Sequence, residues 1–304
     1  MSSTPVIEVE GLNVTYGDFR AVRDLSFEVR PGELYALLGT NGAGKTSALE
    51  TIEGHRTPTS GTVRVFGHSP RDRRLVRPRI GVMLQESGFS PDLTVRESVR
   101  LIGQLTRRTD DVDRILDLVD LTGKARTRVS QLSGGEKRRL DFATAIYGTP
   151  ELIFLDEPTT GLDVRSRDAL WATVDRLREN GSTIVLTTHY LEEAQQRADR
   201  IGLMHEGTFH REGTVSELTR TLPAVIRFTL AAPAPALPLA GTVDGDGKVV
   251  IETFGLQKDL HVLLGWADEY AVELRDLQAG PTRLDDVFRA IGNRPADTAA
   301  AAAS

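Results

Sequence analysis

The chain has 304 residues, of which 39% are hydrophobic and 26% are charged, which is ordinary for a globular protein with one large domain or two smaller ones. Its net charge of −6 argues against a nucleic-acid-binding protein, which usually carries a basic excess. The chain has no cysteine, so it has no disulfide framework and no thiolate metal site. We expect neither a signal peptide nor a membrane-spanning helix, because the N-terminus has no apolar core and no apolar run is long enough to span a membrane.

The first half of the chain alternates between short apolar runs and helical patterns. Residues 6–15 alternate loosely, which predicts a half-buried strand. Residues 34–38 are apolar and precede a glycine-rich loop and a helical pattern, so they predict a strand, a loop and a helix in that order. Residues 62–66 and 79–84 predict further strands, and from residue 94 to about 148 the pattern is helical.

Two later runs, 152–155 and 183–188, are apolar or β-branched throughout, which is typical of buried parallel strands. A helix is predicted between them, at 164–179, because its pattern ends at an asparagine–glycine pair of the kind that caps helices. Residues 201–213 predict a β-hairpin that turns at Glu206 and Gly207.

The composition changes after residue 230. Residues 231–240 are rich in proline and alanine, which predicts a linker or loop. Residues 248–290 then predict a small α+β module that contains a strand at 270–277, and we expect the low-complexity end to be disordered. The expected domain bounds are 1–220 for a large domain, 221–292 for the accessory module and 293–304 for the tail.

Residues 39–46 match the phosphate-loop pattern G-x-x-x-x-G-K-[ST] in the required place between a strand and a helix. Glycines let backbone N–H groups surround phosphate oxygens, and the helix N-terminus adds a partial positive charge. Lys45 would contact the β- and γ-phosphates and the Thr46 hydroxyl would hold Mg²⁺, whereas the alternative is a glycine-rich turn with an exposed lysine. The predicted nucleotide-binding residues here are Gly39, Thr40, Asn41, Gly42, Ala43, Gly44, Lys45 and Thr46.

Two carboxylates, Asp156 and Glu157, directly follow the apolar run at 152–155. A buried strand that ends in two acids is costly unless they meet a cation or point into a site. Asp156 would orient Mg²⁺ and its water shell, and Glu157 would polarise the attacking water. A solvated loop is the alternative, and the phosphate loop in the same chain argues against it.

Residues 132–136 spell LSGGE and begin a predicted helix. Ser133 and Glu136 have the spacing of a capping box. That motif does not explain Gly134 and Gly135, since a glycine inside a helix costs about 1 kcal/mol relative to alanine. A second helix start that faces phosphate explains all four residues, because adjacent glycines let the backbone approach an anion.

These motifs together resemble the ATP-binding subunits of ABC transporters over about residues 5–220. Residues 39–46 resemble the Walker A motif, 132–136 the signature motif, and 152–158 the Walker B motif with its catalytic glutamate. The resemblance implies an α/β fold of the P-loop NTPase type. It would have a RecA-like core, an N-terminal antiparallel β part and an inserted helical subdomain at about 86–150, with the small α+β module following.

The resemblance gives a meaning to four residues that would otherwise be interpreted as structural. Tyr16 matches the aromatic that stacks on adenine. Gln85 matches the glutamine that reaches Mg²⁺ and the attacking water. Asp163 matches the aspartate of the D-loop, and His189 matches the switch histidine that contacts the γ-phosphate.

The resemblance also implies that two ATPase subunits close head to tail on two ATP molecules. Ser133, Gly134 and Gly135 of one subunit would face the γ-phosphate held by Lys45 of the other, so a second copy or a relative is required. The implied cofactors are ATP and Mg²⁺. The implied partners are that second subunit and a separate transmembrane permease, with no nucleic acid, at the cytoplasmic face of the membrane.

Two positions depart from the family's usual pattern, since Thr40 and Val164 each replace a proline. Neither position supplies a side chain that the chemistry needs, so we expect a competent site. Residues 187–194 and 284–288 are similar to the ABC-2 class of exporters, especially the daunorubicin-type drug-resistance subgroup, although the second segment is also an ordinary amphipathic helix. This similarity implies export of drug-like or lipophilic compounds.

Phe89 and Leu93, in the predicted helical subdomain, are candidates for the contact with a permease. An ABC ATPase that acts on ribosomes or DNA remains the alternative. The single ATPase domain, the lack of long heptad repeats and the acidic charge argue against it. A metabolic P-loop kinase would leave the LSGGE segment unexplained.

Overall fold

The computed structural model describes residues 4–40, 42–85, 88–220, 222–231, 235–284 and 286–287. These residues form two compact units, the first ending at Thr214 and the second beginning at Val215. Within the described ranges no helix is both long enough and apolar enough to cross a membrane.

The first unit is built on two sheets and seven α-helices among its described residues. Its strands are β1 Ile7–Tyr16, β2 Phe19–Val29, β3 Leu34–Gly39, β4 Ser60–Val65, β5 Ile80–Met83, β6 Leu152–Asp156, β7 Thr183–Thr187, β8 Arg200–His205 and β9 Thr208–Gly213. Its helices are α1 Lys45–Ile52, α2 Arg73–Val76, α3 Val95–Thr106, α4 Val112–Leu118, α5 Gly134–Ile146, α6 Val164–Glu179 and α7 Leu191–Arg197.

The larger sheet has six strands in the order β5-β6-β7-β3-β8-β9. All neighbouring strands are parallel except β8 and β9, which form the predicted hairpin. Strands β3 and β7 are buried along almost their whole length, as their apolar and β-branched sequences predicted. This order brings the carboxyl ends of β5, β6, β7 and β3 side by side.

The smaller sheet has three antiparallel strands in the order β2-β1-β4. Its inward side chains, among them Leu12 and Leu25, belong to the same hydrophobic cluster as Ile52 of α1 and Phe154 of β6. This shared core fixes β1 and its last residue, Tyr16, beside helix α1.

The predicted helical region contains α3, α4 and α5. Two of these helices begin at capping boxes, Thr94 with Glu97 on α3 and Ser133 with Glu136 on α5. Each box satisfies backbone N–H groups that have no partner inside the helix.

The second unit contains α8 Val215–Thr219, β10 Ala224–Thr229, β11 Thr242–Val243, β12 Lys248–Thr253, α9 Leu256–Glu269 and β13 Arg275–Gly280. The strands among its described residues form an antiparallel sheet in the order β11-β12-β10-β13. Side chains from α9, including Leu263 and Trp266, share a core with Ile226 and Ile251 of the sheet. The α+β character expected for this part of the chain is therefore present.

The prediction that a strand begins at residue 270 is wrong. Tyr270 and Ala271 instead complete the end of α9, where Val272 N donates to the carbonyl of Ala267 at 2.8 Å and Ala271 has a φ of 51°. Strand β13 therefore begins only at Arg275. The tail expected at 293–304 lies outside the described residues.

Candidate active site

Four neighbouring strands of the parallel sheet each lead into a residue that the sequence predicts to be functional. Gln85 follows β5 and His189 follows β7. Asp156 is the last residue of β6, and Glu157 comes directly after it. The phosphate loop that ends in Lys45 follows β3. Ligands of open parallel sheets bind at this carboxyl edge, so the topology alone collects the predicted groups into one place.

The phosphate loop holds its lysine close to the backbone. Lys45 Nζ donates to the carbonyls of Gly39 at 2.8 Å and Thr40 at 3.1 Å. Burial lowers the pKa of Lys45, and the nearby carboxylates of Glu157 and Asp156 act in the opposite direction. The ammonium group is therefore half-buried and within electrostatic reach of the acidic strand end.

Glycine is required at both ends of this loop. A Cβ on Gly44, whose φ is 94°, would lie 2.1 Å from the carbonyl oxygen of Ala21, and a Cβ on Gly39 would lie 2.5 Å from that of Met204.

Among the other predicted residues of the loop, Ala43 is buried and Thr46 is exposed. The Thr40 hydroxyl lies 3.4 Å from His205 Nδ1, and Gly42 has a φ of 79°. The predicted Asn41 lies outside the described residues.

The two carboxylates at the end of β6 have different partners. Asp156 accepts a hydrogen bond from the Thr187 hydroxyl on β7, and burial together with the adjacent Glu157 raises the pKa of Asp156. Glu157 Oε1 lies 3.2 Å from His189 Nδ1. Glu157 itself has a φ of 49°, a left-handed backbone conformation that non-glycine residues seldom adopt.

Tyr16 lies beside the first turn of α1. The residue is 42% exposed, and its hydroxyl is 3.0 Å from Ser47 Oγ, one residue after Thr46. An exposed aromatic ring next to a phosphate loop can accept a flat base, which is the role predicted for it.

The capping box predicted for the LSGGE segment is confirmed. Glu136 N donates to Ser133 Oγ at 3.2 Å, and Ser133 N donates to Glu136 Oε2 at 2.8 Å. A Cβ on Gly134 would meet nothing within 4 Å, and one on Gly135 would make only ordinary contacts. Packing in this chain therefore gives no reason for the two glycines.

Asp163 caps helix α6. Its carboxylate accepts from the backbone N–H of Ser166 at 2.8 Å, and this bond lowers the pKa of Asp163. In the described part of the chain, no hydrogen bond or ion pair joins Ser133, Gly134, Gly135 or Asp163 to the phosphate loop.

Sequence reasoning missed Arg138 on α5, whose neighbours Lys137 and Arg139 suggest a solvated basic face. The residue is in fact 7% exposed. Its guanidinium donates to four backbone carbonyls, those of Leu84 (2.7 Å), Gln85 (3.2 Å), Asp156 and Glu157 (2.7 Å). Arg138 thus connects the helix of the LSGGE segment with the loop after β5 and the acidic end of β6.

A glycine-rich loop between a buried strand and a helix, next to a strand that ends in carboxylates, defines a P-loop nucleoside triphosphatase. The family model described as "ABC transporter" matches residues 22–160. The model of the "ABC transporter domain-containing protein-like, C-terminal domain" matches residues 224–282.

Two relatives match nearly the whole chain. The "Daunorubicin resistance ATP-binding protein DrrA3" of Streptomyces coeruleorubidus is 37% identical over 297 residues, which cover 93% of this chain and 94% of the relative. The "Nod factor export ATP-binding protein I" of Paraburkholderia xenovorans is 35% identical over 300 residues, with coverages of 95% and 97%. Both relatives are ATP-binding proteins by name.

Two solved structures share the fold. An ATP-binding subunit of an ABC transporter aligns with a TM-score of 0.67 at 26% identity over 71% of this chain and 92% of its own. An ATP-binding cassette solved as a dimer in a post-hydrolysis state with ADP and Pi aligns with a TM-score of 0.63 at 25% identity over 68% and 98%. The chain belongs to the family of ABC transporter ATP-binding subunits, and it is an ATPase.

Proposed function

We propose that this chain powers an exporter of drug-like or lipophilic compounds, as one of two ATPase subunits that close on ATP against a separate transmembrane permease at the cytoplasmic face of the membrane. The observation that carries the ATPase part is the meeting of four strand ends at one edge of the sheet. The export part is supported by relatives named for daunorubicin resistance and Nod factor export. These relatives favour transport over action on ribosomes or DNA.

The donor set fits Mg²⁺, which prefers oxygen ligands from one or two side chains together with substrate phosphates. Thr46 offers an exposed hydroxyl, and Gln85 is exposed at the end of β5. Asp156 is a carboxylate whose pKa is raised by burial, so a cation next to it would offset that cost. When bound, Mg²⁺ would neutralise charge on the β- and γ-phosphate oxygens.

Glu157 is the proposed general base for the water that attacks the γ-phosphate. The Oε1 oxygen of Glu157 contacts His189 Nδ1 at 3.2 Å. The Oε2 oxygen has only a long contact of 3.4 Å with the Thr160 hydroxyl. Oε2 is therefore the oxygen available to accept the proton of the water. His189, which is about half exposed, can also reach a γ-phosphate at the same edge.

Lys45 is proposed to exchange its bonds to the Gly39 and Thr40 carbonyls for bonds to the phosphates. Lys45→Ala should weaken ATP binding by about tenfold or more, because a charge-assisted hydrogen bond to phosphate is lost. Isothermal titration with ATP measures this. Lys258→Ala, on α9 of the second unit, removes the same charge elsewhere and should change nothing. An unchanged ATP affinity in Lys45→Ala would contradict the proposed phosphate site.

The open space at Gly134, and the absence of any close contact at Gly135, support a contact with a nucleotide held by a second subunit. Ser133 and Asp163 would also take part in this contact. Ser133→Asn tests this because asparagine also caps helices but is bulkier. The variant should bind ATP as a monomer with unchanged affinity. Combined with Glu157→Gln it should stay monomeric in ATP, whereas Glu157→Gln alone dimerises, as light scattering after size exclusion can measure.

Thr94→Asn is the matched control for that experiment, because Thr94 caps α3 through the same kind of capping box. It should leave ATP-dependent dimerisation intact. If the Ser133→Asn and Glu157→Gln double variant dimerises at the ATP concentration that dimerises Glu157→Gln alone, the proposed contact across the subunits is ruled out.

The proposed permease contact lies in the helical region. Phe89 and Leu93 are half-buried, and Leu101 and Leu105 on α3 are 41% and 66% exposed, one helical turn apart. The export proposal is tested by ATPase assays with a candidate permease in vesicles. Hydrolysis should rise when the permease and a transported compound are present together, and no stimulation by any lipophilic compound would count against an exporter.

A further inference from the structure

Arg56 lies over the ring of Tyr16. The carbon at the centre of its guanidinium is 4.3 Å from the ring centroid, well within the range of about 6 Å for a cation–π contact. The motifs of the sequence assign no role to Arg56, which follows α1 by four residues. Tyr16, by contrast, is the residue proposed to stack on adenine.

Glu50, on α1, fixes the position of Arg56. Arg56 Nε donates to Glu50 Oε2 at 3.0 Å, and the backbone N–H of Arg56 donates to the Glu50 carbonyl at 3.0 Å. The chain reverses at Gly54, whose φ is 79° and whose Cβ would lie 2.3 Å from the carbonyl oxygen of Pro70. The turn and the ion pair together direct the guanidinium back towards β1.

Tyr16 is thus held at two places. Its hydroxyl meets Ser47 Oγ at 3.0 Å, and Arg56 covers one face of its ring. Both Ser47 and Glu50 belong to α1, the helix that begins at Lys45. The ring and the phosphate loop are therefore fixed to the same helix, while 42% of Tyr16 remains exposed.

We propose that Arg56 is a positioning residue of the nucleotide site, which fills one face of Tyr16 and holds the other face ready for the base of ATP. The proposal rests on the proposed role of Tyr16 as the base platform. A ring that is already fixed loses less conformational entropy when a base stacks on it. Only a ligand that carries a base can stack on Tyr16. Arg56 therefore strengthens binding of a nucleotide relative to a base-free polyphosphate.

The first test compares ATP with inorganic tripolyphosphate, which has the phosphates but no base. In titration calorimetry with Mg²⁺, Arg56→Ala should weaken ATP binding about two- to fivefold and leave tripolyphosphate binding unchanged. Arg64→Ala removes an exposed arginine from β4 of the same unit and should affect neither ligand. Equal losses for both ligands, or a gain in ATP affinity, would overturn the proposal.

Glu50→Gln separates positioning from charge. It removes a negative charge from α1, the helix that follows the phosphate loop, so electrostatics alone would tighten ATP binding. It also replaces the ion pair between Glu50 and Arg56 with a weaker, neutral contact that holds Arg56 less firmly. Positioning therefore requires weaker ATP binding, with tripolyphosphate binding no weaker than before. Thermal unfolding of each variant verifies folding, and tighter ATP binding in Glu50→Gln would again overturn the proposal.

A double-mutant cycle connects Arg56 with Tyr16. Arg56→Ala should have no further effect on ATP affinity in a Tyr16→Ala background. If Tyr16→Ala alone leaves the preference for ATP over tripolyphosphate unchanged, the base platform of the proposed function fails together with this inference. If Tyr16→Ala reduces that preference but Arg56→Ala and Glu50→Gln do not, only the inference about Arg56 fails.

Discussion

Glu157→Gln should bind ATP with nearly unchanged affinity and hydrolyse it at least about a hundredfold more slowly, because an amide of the same size cannot accept the proton of water. The amide oxygen can still take the contact of Oε1 with His189 Nδ1, so the local geometry should survive. Single-turnover hydrolysis and ATP titration on the same preparation separate the chemical step from binding.

Glu151→Gln is the matched control. Glu151 directly precedes β6 and forms an exposed ion pair with Arg79, so the same chemical change occurs close by without touching the site. This variant should hydrolyse ATP at the normal rate. Near-normal turnover by Glu157→Gln would remove Glu157 from the role of general base.

Arg138→Ala should reduce hydrolysis about tenfold or more while ATP still binds. Its guanidinium is the shared donor to the carbonyls after β5 and at the end of β6, so its loss frees both segments around Glu157. Because four backbone carbonyls lose a buried, charged donor, we also expect the free energy of unfolding to fall by about 2 to 4 kcal/mol. Single-turnover rates and urea titration measure the two effects.

Arg138→Lys tests the geometry rather than the charge. A lysine keeps the positive charge but has a single ammonium group, which cannot reach four carbonyls as the planar guanidinium does. It should therefore recover stability better than hydrolysis. Arg139→Ala is the control, since Arg139 contacts the Ser166 hydroxyl and the Asp120 carboxylate instead. If folded Arg138→Ala hydrolyses ATP at the normal single-turnover rate, Arg138 has a structural role only.

Strands β3, β6 and β7 could be predicted because residues 34–38, 152–155 and 183–187 are apolar or β-branched throughout. Helix α6 was predicted to its last residue, since Asn180 and Gly181 mark its end. Strand β2 was missed because its first half does not alternate: the neighbours Ala21 and Val22 are both buried. The late start of β13 depends on how α9 ends, through a left-handed Ala271, and the sequence gives little sign of that conformation for alanine.

The candidate site could be predicted wherever chemistry requires a particular residue type at a fixed spacing, as for Lys45 and Glu157. The contacts of Arg138 and Arg56 could not, because each depends on segments that are distant in sequence or on a turn that reverses the chain. Thr187 was part of a predicted strand, but its bond to Asp156 follows only from the pairing of β6 with β7. Order along the chain does not specify which carboxylate faces which hydroxyl.

Because the backbone of Glu157 is left-handed, the residue type that would be most stable at this position differs from the one that hydrolysis requires. A glycine would adopt a φ of 49° without the cost of about 1 kcal/mol or more that a side chain adds there. It would also remove the carboxylate. A search for thermostable variants by folding alone should therefore favour the substitution Glu157→Gly and so enrich inactive proteins. Stability screens of this chain need an activity readout beside them.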